Sequence, residues 1–488
     1  MRLPSPATVH GALRGRRPFP LLPLAGAALL LIAGCAGREG EASDRILEAA
    51  SRGGAWRRLA FLCDRIGPRL SGSPGLERAV RWAEEEFRSD GLDAVWTEKV
   101  MVPRWERGRE EARLVAPVEQ ALAATALGGS DPTLADGITA GVIEVASFED
   151  LRRAGEKVRG RIVLYNKPMR RGGGKEHGYG AVVDLRSQGA VEAAKLGAVA
   201  TLIRSLGTAD YRLPHTGAMS YQDGVPRIPS AALASEDADL IHRLIAAGET
   251  VRVRLVLGCR NLPEAESANV VADLKGRERP DEIVVIGGHL DSWDLGTGAI
   301  DDGVGVAIVM ETMHMLKSLG RRPRRTIRAV LFTNEENGLR GGSAYAGEHR
   351  SEIDRHIAAI EADSGGARPL GFGAQVGSGG LTTLTDIASR LARIGVHTVR
   401  GGGGGADISP LTDLGVPSLG LRQESRDYFD YHHTAADTLD KVSPEDLALN
   451  VAALAVMAYG IADLPDRLPR PRVEKREPAP TSPGARSL

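Results

Sequence analysis

The chain has 488 residues, 42% of them hydrophobic and only 4% aromatic, with 60 glycines, 27 prolines and 3 cysteines. That composition excludes a disulfide-stapled miniprotein, a collagen and a coiled coil, and the length suits roughly two to four ordinary domains, each with its own core. With 62 basic against 63 acidic residues the net charge is −1, so no global field favours nucleic acid or an anionic membrane as a partner.

In chain order, residues 1–34 come first and read as a lipoprotein signal peptide. Arg14, Arg16 and Arg17 form a basic region and Leu21 to Ile32 an apolar one. Ile32-Ala33-Gly34-Cys35 then has the form of a bacterial lipobox, with Cys35 as the lipidation site. The apolar run is short beside the roughly 20 residues of a span, which disfavours an uncleaved anchor helix. Arg16-Arg17 before Phe19 leaves a twin-arginine signal open. Each route leads out of the cytoplasm, with membrane attachment by lipid alone. Ala36 follows the cysteine, and the resemblance to Gram-negative lipoproteins implies an outer-membrane anchor facing periplasm or exterior. Export leaves Cys63 and Cys259 either paired or as buried thiols. No cysteine spacing suits zinc, so any metal must rest on carboxylates and histidines.

Residues 42–130 read as the first part of the main domain. They open with a polar helix, and Ser73-Pro74 starts a second one with Leu76, Ala79, Val80, Ala83 and Phe87 on one face. A strand around Lys99 to Val102 follows. Residues 131–262 change texture to short strands such as Ile162 to Tyr165, a helix around Gln188 to Leu196, and Gly/Pro turns, the mark of an inserted β-rich domain. Residues 263–465 alternate strand and helix, which predicts an α/β fold with a mostly parallel central sheet covered by helices. The strands are Ile283 to Ile286, Ile327 to Phe332, Ile357 to Ile360 and Val416 to Leu421. The helix Gly303 to Ser318 turns Val306, Val309, Met310, Met313 and Leu316 inward. Residues 466–488 read as a disordered tail.

The chemistry-bearing residues follow strands, and ligands of an open α/β sheet bind outside the carboxyl ends of its strands. His289 ends an apolar strand, and Asp291 stands where it could hold the second ring nitrogen. Asp301 and Asp302 are adjacent carboxylates at a helix start, where Asp302 alone could cap; such a pair is costly unless a cation neutralises one of them. Of Glu335 and Glu336, one can bind metal while the other stays free as a general base. Asp363 and His433 complete two histidines and three carboxylates for metal, with one glutamate left over. No GxSxG elbow competes.

His-x-Asp at 289–291, Gly-Ala-x-Asp-Asp-Gly at 298–303, Glu-Glu-x-Gly-Leu-Arg-Gly at 335–341 and His-Thr-Ala-x-Asp-Thr at 433–438 occur in that order. This set resembles the co-catalytic di-zinc exopeptidases, the aminopeptidase and glutamate carboxypeptidase family. One member is matched further, through residues 188–195, 214–226 and 288–294. The resemblance covers residues 46–463 and implies the zinc exopeptidase fold with an inserted protease-associated domain. It also implies two Zn2+ per chain: Asp301 bridging, His289 and Asp363 at one ion, Glu336 and His433 at the other. Glu335 would then deprotonate a metal-bridging water, Asp291 would orient His289, and the peptide between Asp301 and Asp302 would be cis. His432 stands where glutamate carboxypeptidase has Tyr, which leaves the oxyanion or substrate donor open. Short peptides, foremost dipeptides, are the expected substrates, and a homodimer is left open. Which peptide end is recognised also stays open, with Arg204, Arg340 and Arg422 as candidates for a terminal carboxylate. A broad aminopeptidase, a glutaminyl-cyclase-like acyltransferase and a receptor-like binding protein are the alternatives.

Overall fold

A computed structural model describes residues 41–172 and 177–472. The segment carrying Cys35 and residues 473–488 of the expected tail lie outside them. The described residues build two eight-stranded sheets. In the first, the strands Arg325–Phe332, Arg279–His289, His356–Glu361 and Ser418–Gln423 lie side by side and parallel. Antiparallel pairings flank them: Ala94–Glu106 and Arg260–Leu274 on one side, Pro369–Gln375 on the other. The parallel core follows from sequence, because Ile283 to His289 and Arg325 to Phe332 are buried without a break. Such strands need cover on both faces.

Helices supply that cover. Ser73 caps helix Pro74–Ser89 by accepting the Leu76 amide at 3.2 Å, and all five expected face residues are buried. Helix Val304–Ser318 likewise buries Val306, Val309, Met310, Met313 and Leu316, and packs on helix Pro444–Asp463. The latter is the one described helix long and apolar enough to cross a membrane, yet it is 78% buried inside the protein. It is a core helix of the first sheet.

The second sheet takes in Glu110–Ala116, Gln120–Leu122 and Ala124–Ala126 as well as the strands from Ile138 to Leu257. It therefore begins at Glu110, ahead of the boundary at 131 expected from texture, because these short strands of Ala, Glu and Arg carry little periodic signal. Ile162 and Leu164 face one apolar cluster, Val163 and Tyr165 the other, as strand alternation requires. One cluster also holds Leu70, Trp105 and Trp293, so the two sheets share part of a core. Cys63 and Cys259 are buried free thiols, with burial pushing each up to about 11. Residues 466–472 depart from the expected tail: Leu468 is buried, Arg467 pairs with Glu282 at 2.9 Å, and the Pro469 carbonyl accepts from Gly377 at 2.8 Å.

Candidate active site

Five segments meet beyond the carboxyl ends of the parallel strands, and each is fixed before it reaches the site. Strand Arg279–His289 ends in His289. Its Nδ1 lies 3.0 Å from the backbone oxygen of Asp291, which as an acceptor puts the proton on Nδ1 and leaves Nε2 as a lone pair on the side of Asp301. The Asp291 carboxylate is farther, at 3.8 Å. It accepts instead from Ser71 Oγ at 3.1 Å and from the Glu335 and Glu336 amides at 3.0 and 3.3 Å. Asp291 thus orients His289 with its main chain and the Glu335-Glu336 turn with its side chain, which the motif alone did not show.

The loop bearing Asp301 is pinned from two directions. Buried Arg69 donates to the carbonyls of Leu290, Thr297 and Gly298, and Asp437 accepts the Ile300 amide at 2.7 Å. Asp302 accepts from the His289 and Gly305 amides at 3.1 and 3.0 Å, so it caps the helix and leaves Asp301 to the site. The peptide between Asp301 and Asp302 is cis.

Asp301 turns its two oxygens to different histidines. Oδ1 is 3.2 Å from His289 Nε2, and Oδ2 is 3.3 Å from His433 Nε2. Asp363 Oδ1 lies 3.8 Å from His289 Nε2, and Glu336 Oε2 3.0 Å from His433 Nε2. Zinc bonds of about 2.0–2.1 Å in a tetrahedron place neighbouring donors about 3.3 Å apart, so most of these spacings are already those of a coordination shell. Glu336 Oε1 is buried with no partner. His432 stacks on His433 with ring centroids 3.5 Å apart and holds Nε2 3.4 Å from Asp301 Oδ2.

The electrostatics carry the same message. Burial, with the Asp301 charge beside it, pushes Glu336 up to about 7, and burial pushes Asp363 up to about 6. Burial likewise drives Glu335 well above the carboxylate range, with the Asp363 and Glu336 charges adding to it. Against burial, hydrogen bonds from His289 and His433 hold Asp301 well below that range. Protons are thus drawn to a site whose crowded carboxylates call for positive charge. Divalent metal between two imidazoles and three carboxylates would supply it, so the residues present fit a metal site.

Glu335 is the carboxylate left over. It lines a cavity of about 430 Å³ together with Asp301, Asp363, His432 and His433, and residues of the second sheet's unit, Tyr179 and Arg186, complete the wall. Arg186 is buried with an unpartnered Nε, and a Cβ at Gly217 would fall 2.2 Å from its Nη1. None of the expected arginines, Arg204, Arg340 and Arg422, lines this cavity; Arg204 pairs with Asp239, and Arg340 with Glu264 at 2.6 Å. Arg186 escaped notice because it sits mid-helix in Val183–Ser187 with no local motif.

A family model described as Peptidase family M28 matches residues 269–458. Carboxypeptidase Q of Mus musculus is 41% identical over 416 residues, which is 85% of this chain and 87% of that protein. The crystal structure of a Peptidase M28 precursor from Shewanella amazonensis superposes with a TM-score of 0.86 at 40% identity, covering 89% of this chain and 99% of that one. A zinc aminopeptidase from Bacillus subtilis shares the fold, with a TM-score of 0.60 at 21% identity over 83% of this chain and 93% of that one.

Proposed function

The chain belongs to peptidase family M28, and from that premise we propose that it is a di-zinc exopeptidase cleaving short peptides, dipeptides foremost, beside a free carboxyl end. The observation that carries the reading is Asp301, whose two oxygens face two different histidines, while Glu335 joins none of the metal-capable groups among the described residues. In this reading His289 and Asp363 would hold one ion, Glu336 and His433 the other, and Asp301 would serve both. Zinc bound there would polarise the scissile carbonyl and bring the pKa of water toward neutrality.

The chain's own residues do the rest. Glu335 takes a proton from the attacking water as its oxygen adds to the carbonyl carbon, then gives that proton to the amine nitrogen as the C–N bond breaks. Burial favours a Glu335 able to hold the proton between the two steps. Arg186 receives the terminal carboxylate, since it lines the cavity with an unpartnered Nε and its planar fork suits that anion. His432, on the cavity wall beside the bridging carboxylate and assigned to neither ion, stabilises the developing oxyanion. The second sheet's unit is read as a protease-associated domain. Cys35 is read as lipidated, in an exported protein anchored to the outer membrane, which Cys35→Ala should release from membranes.

A panel of dipeptides tests the direction of cleavage. Free dipeptides should turn over and their C-terminal amides should not. Cleavage that survives amidation but stops on N-acetylation would make the enzyme an aminopeptidase.

A further inference from the structure

A ligating histidine needs an acceptor for its second ring nitrogen. His289 finds one nearby in sequence, at Asp291. His433 finds one across the molecule. Its Nδ1 is 3.2 Å from the carbonyl oxygen of Thr216, and the Thr216 amide donates back to the His433 carbonyl at 3.0 Å. Thr216 lies between Ala200–Arg204 and Ser230–Leu233 of the second sheet. His433 has φ 61°, a conformation that holds in a non-glycine residue only where surrounding contacts fix it.

Thr216 is itself fastened. Its Oγ1 donates to the Ala126 carbonyl at 2.9 Å and accepts from Arg107 Nη2 at 3.3 Å. Arg107 also grips Ala126 O at 2.7 Å and Thr125 Oγ1 at 2.6 Å, then crosses to the first unit in a two-pronged pair with Asp294 at 2.6 and 2.8 Å. Asp294 sits on the loop that follows His289. Its neighbour Trp293 packs 5.6 Å from the His433 ring and fills the space a side chain at Gly128 would need, where a Cβ would come within 2.0 Å. The path Asp294, Arg107, Thr216, His433 therefore ties the His433 loop to the first unit by way of the second sheet's unit.

We propose that Arg107 and Thr216 are positioning residues for the ion held by Glu336 and His433, so that filling of this centre and docking of the second sheet's unit form one linked equilibrium. The proposal rests on His433 being a ligand, as read above. By reciprocity, metal at this centre tightens docking and loosened docking weakens the metal. The His289 and Asp363 centre, whose imidazole is oriented from within the first unit, lacks this dependence.

The test is competition of the full-length zinc-loaded protein against a chromophoric chelator. Arg107→Met and Thr216→Val should each release one of two ions at an affinity lowered about 10–100-fold, with the other ion held as in wild type. Wild-type retention of both ions, or equal weakening of both, overturns the proposal. Should the variants fold poorly, amide exchange in the wild type decides: residues 215–218 should exchange more slowly when zinc-loaded than metal-free, and equal exchange overturns it. His433→Ala separates the two layers. If it keeps both ions at wild-type affinity, the ligand reading falls and the linkage with it; if it loses one ion while Arg107→Met loses none, the linkage alone falls.

Discussion

Glu335 and Glu336 leave one turn on adjacent amides, both held by Asp291, and the proposed mechanism gives them different work. Glu335→Gln keeps the volume and the ligands but removes the proton acceptor, so both ions should remain by metal analysis while kcat falls about 10²–10⁴-fold. Arg186→Met should instead raise KM for free dipeptides about 10–100-fold, the scale of a lost hydrogen bond to a charged group, and barely alter that for C-terminal amides. A steady-state comparison of the two substrate classes checks this. His289, Asp301, Glu336, Asp363 and His433 were legible in sequence because each stands at a strand end or motif of its own. Arg186 and Thr216 were not, since their meaning comes only from the approach of another sheet, and no local pattern records that.

Helix Val304–Ser318 begins where the site begins, and its second residue is Gly305. A Cβ there would lie 2.0 Å from the Ala362 carbonyl and 2.2 Å from the Asp302 carboxylate. Gly305→Ala should therefore cost about 1–3 kcal/mol by overpacking and, by shifting Asp302 off the His289 amide, weaken metal binding too; thermal melts with and without zinc would show both. Strand His356–Glu361 makes a prediction about acid. His356 accepts from Tyr345 Oη at 3.0 Å and points its other nitrogen at the Glu352 carbonyl, and burial lowers it to about 4 from 6.5. Its depressed value means the unfolded chain takes up this proton first. Stability is thus fully present above about pH 6.5 and declines toward pH 4, by at most about 1.4 kcal/mol per pH unit. Urea titrations should show a shallower decline for His356→Gln. Elements of this kind were readable wherever a buried face repeated at period 3.6 or ran unbroken. Gln120–Leu122 and Ala124–Ala126, three residues each, gave no such period, and the second sheet's true beginning was hidden with them.

For the molecule as a whole, metal bound at the proposed site should add to stability. Any ligand that binds only the folded state adds about 2.7 kcal/mol at a hundred times its Kd, so chelation should lower the melting temperature as well as abolish activity, and zinc should restore both. A chelated protein that melts as the loaded one does would show the carboxylate cluster to be content with protons alone.

The route by which the chain leaves the first sheet and returns also governs how it can assemble. Ala94–Glu106 pairs with Arg260–Leu274 right up to Glu106 opposite Arg260, and Glu110 faces Leu257 just beyond. Searching for that long hairpin directly would mean closing a loop of everything between, and the entropy of distant closure makes such pairings slow. If the second sheet folds first around its own two apolar clusters, it delivers Glu110 and Leu257 side by side, and the hairpin can close from there like a zip. Pulse-labelled amide exchange should then find residues 138–257 protected before residues 94–106. The excursion that shapes the cavity would also be the jig on which the rest of the enzyme is put together.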